Sequence, residues 1–98
     1  MSHFALIVTL RVKPGWMEEF LPLILENQRL TRQNESGCRR FDVYRSNEED
    51  NTLFFVEEYD DPDTFKVHQN SEHFKTYFEA AKNMMAERIW QRCTLIDD

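Results

Sequence analysis

Along residues Phe4 to Val12 the side chains alternate. Phe4, Leu6, Val8, Leu10 and Val12 fall on one side, and Ala5, Ile7 and Thr9 on the other, the period-two pattern of a strand. Both sides are largely apolar. Small antiparallel sheets commonly turn one face to water, so the second face of this strand calls for a cover, and a second copy of the chain is the obvious one. Pro14-Gly15 marks a turn. From about Trp16 to Gln33 the period becomes helical: Met17, Phe20, Leu21, Ile24 and Thr31 recur along one stripe, widened by Leu23 and Leu30. Pro22 lies inside this stretch, where it removes a backbone donor and crowds residue 18, so a kink or a later start is expected. Asn27 falls on the apolar face, where an unpaired amide costs about 1–3 kcal/mol. A backbone group nearby and a bound ligand are both open as its partner. Ser36-Gly37 ends the helix.

Arg40 to Ser46 alternates again, Asn47 to Asn51 is a polar turn, and Leu53 to Tyr59 is the returning strand of a hairpin. Glu57 lies between Phe55 and Tyr59 on one strand face. Facing inward it would be a half-buried carboxylate with a raised pKa; pairing with an arginine is the alternative. Asp61-Pro62 reads as a helix start, a capping carboxylate followed by proline at the first helical position. Phe65 and His68, three apart, share a side of this short helix. Asn70-Ser71 interrupts it, and Ser71 caps a second piece expected to run to about Ala86 on a stripe of Phe74, Tyr77, Phe78, Ala81, Met84 and Met85. Arg88 to Ile96 is the last strand. The order β-α-β-β-α-β, with the second helix in two pieces, is the ferredoxin-like α+β arrangement: a four-stranded antiparallel sheet with helices on one face, in a single domain over 1–98. An apolar open sheet face marks an interface. Two such sheets packed ~10 Å apart make a dimeric α+β barrel, with a substrate cavity inside each subunit between helices and sheet.

Charge narrows the partners. Eighteen acids against 12 bases give −6, which excludes the basic face that a nucleic-acid backbone needs. Eight of the acids fall between positions 48 and 63, most of them in a solvated hairpin and loop. Cys38 and Cys93 have neither metal spacing nor a CxxC partner and read as reduced side chains. No basic–apolar leader is evident and no apolar run approaches the ~20 residues of a membrane span; the expected location is the cytoplasm, with no membrane partner.

The chain has two glycines and no phosphate-cradling loop or GxSxG elbow. His68 and His73 are five apart across a helix break, unlike an i, i+4 metal pair, so neither a metal nor a cofactor is expected. Proton chemistry remains. His68 ends one short helix and His73 begins the next, so they stand in opposed dipole fields, a setting suited to acid–base work. A histidine at a helix end also commonly bonds a backbone carbonyl, and both roles stay open. His3 is a bystander near the N-terminus.

Across nearly its whole length the chain resembles the antibiotic biosynthesis monooxygenase family. The residues that carry the resemblance are Pro14-Gly15, Glu26-Asn27, the run Glu35-Ser36-Gly37-Cys38-Arg39-Arg40-Phe41-Asp42-Val43, then Phe55-Val56-Glu57-Glu58-Tyr59 and His68-Gln69-Asn70-Ser71-Glu72-His73-Phe74. The resemblance implies a homodimer that oxidises a small phenol or quinol with O2 and no metal, flavin or haem. In that reading Asn27 and Tyr59 orient the substrate oxygens, and His68 or His73 assists deprotonation. Glu57 sets local charge, and Phe41, Phe55, Phe65 and Trp90 form an aromatic wall. One branch of the family instead isomerises a phosphorylated autoinducer by proton transfer next to a carbonyl. Where that branch carries a histidine after the helix Asn, this chain has Gln28. Haem-degrading relatives use an Asn on the first strand, and Phe4–Val12 has none. A dimer that binds a small ligand without catalysis is the third reading.

Overall fold

A computed structural model describes residues 3–96. The elements are β1 (His3–Val12), α1 (Met17–Asn34), β2 (Cys38–Arg45), β3 (Thr52–Tyr59), α2 (Pro62–Gln69), α3 (Glu72–Ala81) and β4 (Met85–Leu95). One turn of 3-10 helix, Lys82–Met84, joins α3 to β4. The four strands form one antiparallel sheet in the order β2-β3-β1-β4, and this is the expected ferredoxin-like fold with its second helix split.

β1 takes a central position in the sheet. It pairs with β3 on one side and β4 on the other, so its amides and carbonyls are used along both edges. Leu6, Val8, Leu10 and Val12 are buried beneath the helices. They meet Met17, Phe20 and Ile24 of α1, with Leu53 and Phe55 of β3 alongside. The opposite face of the sheet carries Ala5, Ile7, Thr9, Phe54 and Val56, and no helix among the described residues lies over it.

Two boundaries differ from the expectation. The second helical piece stops at Ala81 instead of Ala86, and β4 begins at Met85 instead of Arg88. The sheet competes for this stretch. A register shift between Arg11 and Val12 lets Met85 pair with Val12, and the Lys13 amide donates to the Met84 carbonyl at 2.8 Å. Met84 and Met85 pack half-buried against the core rather than extending a helix stripe. α1 neither starts late nor breaks at Pro22. The proline is exposed in the second turn, so the backbone bond it forgoes faces water.

The two glycines have separate reasons. Gly15 has φ +88°, a left-handed turn residue. Gly37 sits where the chain leaving α1 passes α2, and a β-carbon there would lie 2.2 Å from Thr64 Cγ2. The Gly37 carbonyl also accepts from the Asp60 amide at 3.0 Å. This close approach brings the end of α1 against the start of α2.

Candidate functional site

The site lies between the helices and β3. On β3 the alternation sends Phe55, Glu57 and Tyr59 inward. Glu57 is paired with Leu6 of β1 and Phe41 of β2, while Val8 is paired with Phe55 and Trp90. These residues, with Arg88, form the sheet side of a small enclosed cavity. Ile24 and Asn27 of α1, Phe65 and His68 of α2, and Phe74 and Tyr77 of α3 form the helix side. Its volume is about 20 Å³, room for roughly one water and too little for an aromatic ring.

Glu57 is 5% exposed and its Oε1 accepts from the Tyr59 hydroxyl at 2.6 Å. The arginine partner that the sequence left open is not what it has. Burial raises the carboxyl pKa; the Tyr59 bond and the His68 ring oppose this but do not cancel it. Tyr59 is wholly buried and its own pKa is driven up, by burial first and then by Glu57, so its hydroxyl is a fixed donor. It stands behind Glu57, not on the cavity wall.

Asn27 is 3% exposed and its Oδ1 is buried without a hydrogen-bond partner. Of the two partners left open, a backbone group and a ligand, the backbone group is not the one its oxygen uses. Asn27 lies on the cavity wall, and a buried acceptor without a partner needs an explanation because its desolvation is uncompensated. Gln28 points elsewhere: its amide donates to the Phe41 carbonyl at 2.8 Å and ties α1 to β2.

The two histidines converge on a residue that spacing did not single out. Glu35 caps the C-terminus of α1. Its Oε2 lies 2.9 Å from His68 Nδ1 and 2.5 Å from His73 Nε2. Ser71 fixes both helix ends: its hydroxyl donates to the His68 carbonyl at 2.6 Å and accepts from the Phe74 amide. Burial would raise the Glu35 pKa, but the bonds and charges of His68 and His73 outweigh it and the carboxyl titrates below its ordinary 4.5. Spacing had set the histidines apart, yet their rings are 5.9 Å centre to centre because they occupy facing ends of two helices. The donor atoms of Glu35, His68 and His73 lie within 4.8 Å of one another.

His68 lines the enclosed cavity, packed against Phe41, Tyr59, Phe65 and Phe74. His73 does not. It lines a separate open groove of about 370 Å³ between α1 and α3. Asn27 and Tyr77 border both spaces and form the wall between them. Phe41, Phe55, Phe65 and Trp90 all stand on the cavity wall as expected. Arg88, which periodicity did not mark, stacks its guanidinium over Trp90 at 4.5 Å and Phe78 at 4.8 Å. Cys38 is no nucleophile here; burial pushes its thiol up to about 11.

The comparisons agree with this architecture. An isomerase of (4S)-4-hydroxy-5-phosphonooxypentane-2,3-dione from Shigella flexneri is 29% identical over 79 residues, 81% of each chain. YcnE of Bacillus subtilis, named as a candidate monooxygenase, is 29% identical over 79 residues, 79% of this chain and 80% of its own. Among solved structures, a candidate antibiotic biosynthesis monooxygenase from Caulobacter crescentus superposes with a TM-score of 0.93 at 25% identity, covering 98% of this chain and 92% of that one. A second, from Nitrosomonas europaea, superposes at 0.92 with 23% identity over 96% and 90%, a likeness of fold. The sequence profile described as antibiotic biosynthesis monooxygenase matches residues 3–80, spanning β1 through most of α3 with every polar group of the site except Arg88, and the chain belongs to that family.

Proposed function

We propose that the protein is a cofactor-independent monooxygenase acting on a small phenol or quinol with O2. The observation that carries this reading is that Asn27, whose oxygen has no partner, lines one cavity with His68, a pKa-raised Glu57 and the aromatic rings of Phe41, Phe55, Phe65 and Trp90. His68 takes the substrate proton on Nε2, leaving the electron pair on the substrate. Asn27 accepts from a second substrate hydroxyl, and Glu57, held by Tyr59 and with burial favouring its neutral form, is the other polar group available to a substrate oxygen. The aromatic wall excludes water, so the anion meets O2 in a medium that does not quench it. A ring or methylene carbon of the anion that bears hydrogen uses its electron pair to form a C–O bond to O2, and the resulting peroxide takes the proton from His68. Loss of the hydrogen on that carbon with cleavage of the O–O bond releases water and leaves the ketone: one oxygen atom goes to product and one to water. Because the enclosed volume holds about one water, substrate entry opens the Asn27–Tyr77 wall toward the outer groove.

With an anthrone or hydroquinone and no added cofactor, the purified protein is expected to consume O2 well above the buffer rate. Oxygen-electrode traces equal to buffer across a phenol panel would sink the reading. One observation favours a second reading: Arg88 puts a cation on the wall of a cavity built for proton transfer, and a curated relative isomerises a phosphorylated dione. That reading expects solvent deuterium to enter the carbon next to a substrate carbonyl without O2 uptake.

A further inference from the structure

We propose that Glu35 is a positioning residue for the base, one that fixes the tautomer of His68 so that the bare Nε2 faces the cavity and that answers the charge His68 acquires there. The inference rests on the reading of His68 as the base. Glu35 Oε2 receives both histidine rings, His68 through Nδ1 and His73 through Nε2, while Oε1 is buried with no partner. An ionised carboxylate only accepts hydrogen bonds. A neutral His68 bonded to it therefore carries its proton on Nδ1, and Nε2 is left with a lone pair. His68 is nearly fully buried and lines the cavity, so Nε2 is the nitrogen it has to offer there.

His73 cannot be the base for the same space. Its Nε2 is on Glu35 and its ring borders the outer groove. It acts as the second donor that holds the carboxylate in place. The anchoring is stiff because the three residues come from three elements joined at short range: Glu35 ends α1, His68 lies in the last turn of α2, and His73 lies in the first turn of α3. When the substrate proton moves onto Nε2, the electrons of the broken bond stay on the substrate and His68 becomes an imidazolium. The charge of Glu35, already oriented and 2.9 Å away, meets it without rearrangement.

The test is the tautomer, read without substrate from histidine nitrogen NMR of the whole protein. Wild type is expected to carry the His68 proton on Nδ1. In Glu35→Leu the acceptor is gone, the proton moves to Nε2, the nitrogen a free imidazole favours, and the base is blocked; Glu35→Asp keeps the Nδ1 proton. With an oxidisable quinol, kcat of Glu35→Leu is expected to drop by about 10²-fold with KM little changed, and Glu35→Asp to recover part of it. A wild-type His68 protonated on Nε2 overturns the proposal, and that spectrum needs no variant to fold. So does a tautomer unchanged in Glu35→Leu, or stoichiometric Zn2+ binding to wild type that Glu35→Leu abolishes, which would make the trio a metal site. Should the tautomers behave as expected while no quinol is oxidised, the oxygenase reading fails and the positioned base stands.

Discussion

Glu57 and Glu35 are carboxylates in the same small region, driven in opposite directions. Glu57 has one protein hydrogen bond, from Tyr59, and burial dominates, so its pKa rises above 4.5. Glu35 has two imidazole partners, and they depress it despite burial. Below pH 4.5 Glu57 is protonated folded and unfolded alike and carries no linkage cost. As pH rises past that value the unfolded chain releases the proton that the folded chain retains, and stability is lost until the folded group ionises too. Glu57→Gln keeps an acceptor for Tyr59 and does not titrate. It is expected to raise Tm at pH 8 and to change it little at pH 4. Melting curves that show an equal effect at both pH values would contradict this. Glu35 works the other way: its stabilisation is present above 4.5 and fades as pH falls through its depressed pKa. Glu57 was legible as a site residue because a carboxylate between Phe55 and Tyr59 breaks an apolar strand face. Glu35 was not, because it stands in a polar turn where another acid means nothing by itself.

The helices are set by caps, and the contact between α1 and α2 by a missing side chain. Asp61 accepts from the Thr64 amide and hydroxyl, both at 2.8 Å, and this bond pins the Thr64 methyl over Gly37. Gly37→Ala would drive a β-carbon into that methyl, and turning Thr64 aside breaks its hydroxyl bond to Asp61. The expected cost is ~1–3 kcal/mol, with His68 moved off Glu35. Adding Thr64→Ser, which deletes the methyl and keeps the hydroxyl, should recover most of it in thermal melts. A double variant no more stable than Gly37→Ala alone would show that the methyl is not the obstacle. The caps at Asp61 and Ser71 could be read in advance because their signals are local. The end of α3 could not, since Lys82–Met85 leaves the helix for a sheet register that depends on Val12, far away in sequence.

The sheet has one face under the helices and one without cover from this chain. Ile7, Phe54 and Val56 on that open face are apolar at the centre of the sheet, where β1 and β3 pair. Burying them against a second sheet takes this apolar face out of water. The protein is therefore expected to sediment as a dimer at micromolar concentration, and Val56→Lys, a charge placed on that face, to shift it toward monomer. A sedimentation mass of one chain for wild type would refute this. No helix among the described residues is long and apolar enough to cross a membrane.

Local periodicity determined the strands, the helices and their order, because a residue's side of a strand or helix follows from the backbone repeat alone. It also put Asn27 on the apolar face of α1 and set Glu57 between Phe55 and Tyr59 on one strand face; the aromatic wall came from the family resemblance. What lay beyond it was which groups meet. Glu35 joins His68 and His73 only because α1 ends where α2 and α3 face each other. Those pairings are distances between elements, set by packing and by the fit at Gly37, and no repeat along a single element encodes them.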